Sequence, residues 1–384
     1  MKIGIVLYPT FGGSGVVATE LGLALAKLNH EVHFITYHQP VRLDLLTENV
    51  HFHEVFVEEY PLFHYQPYEL ALSTKLVDIV LRYDLDLLHV HYAIPHAYAA
   101  FMAQQMLKAK KKHIPFVTTL HGTDITLVGS HPSYKTAVEF SINNSDAVTT
   151  VSDSLRSDTL RLFDINVDID VIYNFIDTSK YPSIKAEECN RNSLARENEK
   201  IITHVSNFRE VKRVDDVIRI FNEIQKTIPS RLIMVGDGPD REKADLLCKE
   251  LEIKDKVLFL GFSNEVNKIL CFSDLFLLTS ETESFGLVAL EAMAAKTAVI
   301  STNTGGLPEV NLHGVTGYLS NVGDYNDMAN NAISILKDET VLADFKMRAY
   351  EHSKKFTMKQ ILPEYLEVYN KVLQKNTAQF KSIL

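Results

Sequence analysis

The sequence predicts an α/β protein made of two doubly wound halves. Three observations carry that reading: short β-branched apolar runs alternate with longer segments of helical period, the alternation pauses once near the middle, and it then resumes in the same form. Short apolar runs bounded by turn signals are what strands buried on both faces require, and helices on either side supply the cover. At 384 residues the chain is also too long for one comfortable core.

In the first half the runs are Ile3–Tyr8, Val32–Thr36, Leu87–His91, Phe116–Leu120, Ala147–Val151 and Asp170–Tyr173, expected in one sheet. His51 and His53 alternate on a further strand-like stretch. Between Asp177 and Lys200 the chain turns charged and loses strand signal, with Lys185-Ala186-Glu187-Glu188 at its centre. A second series follows: Ile201–Ser206, Arg231–Gly236, Val257–Gly261, Leu275–Ser280 and Ala298–Thr302, each leading into a helix-like stretch. The last segment, Met358–Gln374, places Ile361, Leu362, Tyr365, Leu366, Tyr369 and Val372 on one helical face, which closes either half or bridges them. The expected division is therefore an N-terminal domain 1–176, a C-terminal domain 177–357 and a helical segment 358–384 that bridges the two.

Composition narrows the partners. A net charge of −10 repels nucleic acid and anionic membrane over most of the surface, so any anionic ligand needs a local basic cluster. Cys189, Cys248 and Cys271 are odd in number and far apart, which fits neither a disulfide framework nor a zinc site and points to a reducing cytoplasm. The apolar run after Met1-Lys2 is too short for a secretory signal, and no stretch approaches the ~20 apolar residues of a membrane helix. Oligomeric state is left open between a monomer and a homo-oligomer.

In open α/β sheets ligands bind beyond the carboxyl ends of the strands, so the loops there hold the candidate chemistry. The first, Tyr8 to Gly15, carries Gly12-Gly13-Ser14-Gly15 before a helix; it fits an anion at a helix N-terminus or a plain tight turn, and it is neither GxGxxG nor a Walker loop. The second, Asn207-Phe208-Arg209-Glu210-Val211-Lys212-Arg213, puts three cations before a helix that starts near Val214. There they oppose the helix dipole unless a diphosphate, or Glu210, Asp215 and Asp216, neutralises them. The third runs from Glu281 to Met293: Ser284 is placed to cap a helix, Gly286 admits a ligand to its free N–H groups, and Glu283 and Glu291 are carboxylates suited to sugar hydroxyls.

With the Gly236-Asp237-Gly238-Pro239 turn and Gly305-Gly306-Leu307-Pro308-Glu309, the Glu283-x7-Glu291 pair around Phe285-Gly286 resembles the signature of family 4 retaining glycosyltransferases across the length of the chain. That resemblance implies the GT-B fold, two Rossmann-like αβα domains facing a cleft, with the C-terminal helix returning toward the N-terminal domain. It also implies a first glutamate beside the transferred sugar, a second on the ribose hydroxyls, and a basic pair on the diphosphate. Lys212 matches the family lysine; the arginine expected five residues earlier is Asn207 here, and Arg209 is the nearby cation.

Gly12–Gly15, His89–His96, Thr118–Thr126, Tyr173–Asp177 and Ser206–Arg213 further resemble the branch of that family that glycosylates L-malate at the start of bacillithiol synthesis. The implied donor is UDP-N-acetylglucosamine, the implied acceptor L-malate, and UDP leaves with the α-configuration retained. Catalytic roles then fall to Glu283, Lys212, Arg209 and His121, and donor binding to Gly13, Ser14, Ser206, Arg209, Lys212, Gly261, Phe262, Glu283, Phe285, Gly286, Leu287, Val288 and Glu291. A dianionic acceptor needs hydrogen-bond donors; Ser14, Tyr92, Thr119, His121 and Asn174 are expected to supply them, with Arg42 as an outlying addition.

Metal readings are weaker. His89, His91 and His96 lack a further ligand at suitable spacing, Asp84-Leu85-Asp86 precedes a strand instead of following it, and His30-Glu31-Val32-His33 has no zincin spacing. Catalysis is expected to need no metal and no cofactor. A nicotinamide oxidoreductase would put an acidic residue at the end of the second strand, where His33–His38 offers none. A non-catalytic sugar-nucleotide binder would hold the donor without releasing UDP.

Overall fold

A computed structural model of the chain describes residues 1–10, 12–59, 61–62, 64–178, 181, 191 and 194–383; Phe11, Cys189 and the charged run Lys185–Glu188 lie outside them. The chain falls into two compact units, Met1–Asn174 together with Met358–Leu384, and Phe175–Thr357.

In the N-terminal unit the strands are β1 Lys2–Val6, β2 Glu31–Thr36, β3 Val50–Glu54, β4 Leu87–His91, β5 Phe116–Leu120, β6 Ala147–Thr150 and β7 Ile169–Val171. Among the described residues they form one parallel sheet in the order β3-β2-β1-β4-β5-β6-β7. Ile3, Ile5, Phe34, Leu88 and Val117 are wholly buried, as strands covered on both faces must be. Helix α1 (Ser14–Lys27) follows β1, and α2 (Tyr68–Tyr83) precedes β4. Asp84 ends α2 in a left-handed conformation, and Asp86 accepts the Lys2 N–H at 2.7 Å, so Asp84-Leu85-Asp86 is a helix-to-strand turn.

The last helix, α13 (Met358–Ile383), belongs to this unit. Its Tyr365 and Tyr369 are fully buried, and the Tyr369 hydroxyl bonds His89 Nδ1 at 2.7 Å, joining residues 280 apart in sequence. The one-sided apolar face read in the sequence is therefore the cover of the β4–β5 surface.

The C-terminal unit repeats the plan with β8 Lys200–Val205, β9 Ser230–Val235, β10 Val257–Gly261, β11 Leu275–Leu278, β12 Ala298–Thr302 and β13 Gly317–Ser320, ordered β10-β9-β8-β11-β12-β13 and parallel among the described residues. Helix α6 (Val214–Gln225) buries Val217, Ile218, Phe221 and Ile224 against Ile202, Leu232 and Met234. Each such fully buried side chain contributes about 1.5–3 kcal/mol. In both units the strand order reverses at one place, between β1 and β4 and between β8 and β11. Loops leaving those paired strands run in opposite directions and open a crevice at the carboxyl ends.

Candidate active site

At the β8–β11 reversal, two loops are tied together by both backbone and side chains. The Glu281 N–H donates to the Val211 carbonyl at 2.8 Å, and the Thr279 hydroxyl donates to the carbonyls of Lys212 and Arg213 at 2.8 and 3.1 Å. Over this frame Lys212 Nζ meets Glu283 Oε2 at 2.6 Å, both side chains about four-fifths buried, and Ser280 Oγ adds a 3.3 Å contact to the same oxygen. The three cations of the basic turn go separate ways. Arg213 caps α6 in a left-handed conformation and pairs with Asp216 at 2.6 Å, Lys212 takes Glu283, and Arg209 is exposed.

His204 is a residue that sequence reasoning missed. It is buried in β8, where its Nδ1–H donates to the Leu277 carbonyl at 2.9 Å, so its Nε2 must accept from the Ser206 hydroxyl at 2.8 Å. Burial pushes its pKa down to about 4, which keeps the ring neutral in that role. Ser206 Oγ then accepts the Phe208 N–H at 3.3 Å, fixing the start of the basic turn. No spacing in the sequence marks a strand histidine for this task.

Helix α9 (Leu287–Ala294) starts at Gly286, whose φ of +94° a side chain would strain, so a glycine and not the expected Ser284 holds the capping position. Leu287 and Val288 stand in the first turn, where backbone N–H groups have no partner within the helix itself. Phe285 is buried against Phe356, and Glu291 is partly buried one to two turns along α9. The Gly305-Gly306 motif presses on the Glu283 loop: a Cβ on Gly305 would stand 1.9 Å from the Glu283 carbonyl oxygen, to which Gly306 N–H donates at 2.9 Å. Gly261 ends β10, two strands from β8, and Phe262 beyond it is 75% exposed.

In the N-terminal unit the β1–β4 reversal carries a matching pair. Gly13 precedes α1, and the hydroxyls of Ser14 and Tyr92 share a hydrogen bond between the loops after β1 and β4. The Tyr92 ring lies 5.0 Å from that of His121 and 5.2 Å from that of Tyr8. Asp124, 2% exposed, accepts N–H groups from Ala93 at 2.8 Å, Gly122 at 3.0 Å and His121 at 3.2 Å; burial pushes its pKa up to about 6 against the pull of those bonds.

Beneath these residues lies a run of neutral histidines. His121 Nε2 bonds His91 Nδ1 at 2.8 Å, and His96 Nδ1–H donates to the His91 carbonyl. Burial depresses His89 and His121 to about 3 and His96 to about 4.

The structure thus brings Ser14, Tyr92 and His121 together, and Lys212 with Glu283. It places other expected residues elsewhere. Thr119 is wholly buried, bonded to His89 Nε2 and Thr149 Oγ1 at 2.7 Å each. Asn174 follows β7, three strands beyond β4, with its Oδ1 buried and without a hydrogen-bond partner among the described residues. Arg42 reaches Glu20 at 3.4 Å.

Comparison with known proteins fits this geometry. Residues 11–180 match the family model described as Glycosyltransferase Family 4, and residues 186–352 the model described as Glycosyl transferases group 1. The chain is similar to N-acetyl-alpha-D-glucosaminyl L-malate synthase of Bacillus anthracis, with 48% identity over 375 residues, 97% of this chain and 98% of that one. Among solved structures, a sucrose-phosphate synthase from Thermosynechococcus elongatus superposes with a TM-score of 0.81 at 20% identity, over 97% of this chain and 99% of the other. Anabaena HepE in complex with UDP and glucose gives a TM-score of 0.81 at 21% identity, over 96% and 99%. These likenesses give the fold, GT-B.

Proposed function

This chain belongs to glycosyltransferase family 4, and on that premise we propose that it transfers N-acetylglucosamine from UDP-N-acetylglucosamine to the hydroxyl of L-malate, giving N-acetylglucosaminyl malate and UDP, the reaction that opens bacillithiol synthesis. The choice of donor and acceptor is supported by the Bacillus anthracis relative, whose name states that product. The observation that carries the site is the Lys212–Glu283 pair at the β8–β11 reversal, a cation and a carboxylate held together where an α/β sheet receives its ligand.

Departure of UDP concentrates negative charge on the β-phosphate while the sugar becomes oxocarbenium-like. In this reading Lys212 turns from Glu283 to the phosphate, Arg209 and the N–H groups of Leu287 and Val288 add to it, and Glu283 orients the sugar hydroxyls. Preorganised charge of this kind is commonly the largest catalytic term. The malate hydroxyl oxygen forms the new bond to C1 on the face the phosphate leaves, the C1–O bond to phosphate breaks, and the hydroxyl proton passes to the departing phosphate. In the C-terminal unit Ser206, Gly261, Phe262, Phe285 and Glu291 belong to the donor's surroundings; in the N-terminal unit Gly13 and Ser14 are donor contacts, and Ser14, Tyr92 and His121 acceptor contacts, of this reading.

The reaction uses no metal and no cofactor, and the protein works in the cytoplasm. The free, buried thiol of Cys248 accords with that compartment, and among the described residues no helix is long and apolar enough to cross a membrane.

An acceptor panel tests the reading. UDP release from UDP-N-acetylglucosamine should be strongly stimulated by L-malate, with a glycosylated malate as product. Release that is equal with and without malate, or fastest with an unrelated alcohol, removes the acceptor assignment.

A further inference from the structure

At the amino ends of its strands, away from the reversal loops, the N-terminal sheet carries a second group of chemistry-bearing side chains. Strands β2 and β3 pair in register, His33 opposite His51 and Ile35 opposite His53. Because side chains alternate along a strand, Glu31, His33, His51 and His53 share one face of this sheet edge. Tyr83, the last residue of α2, lies against three of them, its ring 4.6 Å from His33, 5.1 Å from His53 and 6.0 Å from His51.

The atoms of this group converge. Glu31 Oε1 stands 3.1 Å from His33 Nε2 and 3.6 Å from His51 Nε2, while Lys2 Nζ takes the other carboxylate oxygen, Oε2, at 3.3 Å. Among the described residues, these are the three His, Cys, Asp or Glu side chains whose ligand atoms all lie within 4.8 Å of one another. A tetrahedral ion with nitrogen and oxygen ligands at about 2.0–2.2 Å sets its ligand atoms roughly 3.3–3.5 Å apart, close to both measured separations.

The surroundings complete the case. His33 Nδ1 meets His53 Nε2 at 2.8 Å. If Nε2 of His33 binds an ion, its Nδ1 keeps a proton and must donate it, and His53 is placed to accept; such a partner orients metal-bound histidines. The His33 side chain is wholly buried, whereas those of His51 and Glu31 are 43% and 29% exposed, which gives an ion an entry path and leaves room for a water ligand.

We propose that Glu31, His33 and His51 bind one divalent transition-metal ion, with His53 orienting His33. Two imidazoles and a single carboxylate select Zn²⁺ or its neighbours over Mg²⁺ and Ca²⁺, which favour all-oxygen sites. Glu31 is the first residue of β2, so the ion ties the edge strand β3 to the sheet at the end opposite the transfer chemistry. Its place in the protein is structural.

The test uses the full chain without a histidine tag, stripped with a chelator, dialysed and titrated with Co²⁺ followed by visible absorption. One equivalent should bind with ligand-field bands, be displaced by Zn²⁺, and raise Tm. His51→Gln and Glu31→Gln, both at the surface, should weaken uptake by about 100-fold, and His53→Gln by about 10–100-fold. His38→Gln, outside the cluster, should bind as the unaltered chain does. Uptake that is absent in the unaltered chain, that survives both His51→Gln and Glu31→Gln, or that falls equally in His38→Gln overturns the proposal.

Discussion

Lys212 and Glu283 hold one another in a setting where neither charge is fully hydrated, so each depends on the other until a ligand arrives. Lys212→Ala should lower kcat by about 10²–10³-fold while circular dichroism stays unchanged; turnover within threefold of the parent would remove the lysine from the phosphate. Ser206→Ala deprives the buried His204 Nε2 of its donor, and a loss of about 1–3 kcal/mol in urea unfolding is expected. Thr119 was expected to meet the acceptor, yet it is buried with both His89 and Thr149 on its hydroxyl. Thr119→Ala should therefore lower stability before it touches the malate KM, and an unchanged Tm with a raised KM would restore the first reading. The sequence pointed to Lys212 and Glu283 through their place on loops after buried strands, and the structure pairs them at 2.6 Å. His204 was not legible, since a polar residue inside a strand looks the same whether it orients a loop or merely fills the core.

Among the elements, central strands announced themselves and edge strands did not all do so. The second series of apolar runs stopped at Ala298–Thr302, and β13 escaped it because Gly317-Tyr318-Leu319-Ser320 is short and half-exposed at the sheet's rim. The alternating histidines of β3 were noticed as strand-like for a comparable reason, since one face of an edge strand is free to be polar. The glycine-rich motif at 305–306 was legible as a signature but not as a mechanical part. Its role follows only from contact with the Glu283 carbonyl. Gly305→Ala would force that loop away, so UDP binding by calorimetry should weaken by at least about tenfold with most helix content retained; undiminished affinity would show that the loop's position does not matter. The chain enters α9 through a left-handed Gly286, so the capping position expected at Ser284 falls two residues later.

For the molecule as a whole, buried neutral histidines set the response to acid. His89, His96 and His121 have folded-state pKa values of about 3, 4 and 3, below the unfolded 6.5. Between those values the unfolded chain binds more protons, so stability is complete above pH 6.5 and declines as pH falls toward 4, each group removing up to about 1.4 kcal/mol per pH unit. Asp124 has the opposite sign: raised from 3.8 to about 6, it takes its proton first in the folded chain and offsets part of that loss. Calorimetry should show Tm falling steadily from pH 6.5 to pH 4.5, and a flat profile would mean that these rings are hydrated. The overall plan, two α/β layers joined near residue 175, was readable because periodicity is a local property. Where the last helix docks was not, because it depends on a pairing between distant residues.

That distant pairing bears on how the protein is made. The sheet surface holding His89 and Thr119 is finished only when Tyr365 and Tyr369 arrive, after the whole of residues 175–357 has been synthesised. The C-terminal unit is continuous and can complete its core as soon as it leaves the ribosome, whereas the N-terminal unit must wait with polar groups uncovered. The usual vectorial order, first domain first, is inverted here, and the earliest-translated sheet becomes the last to be sealed.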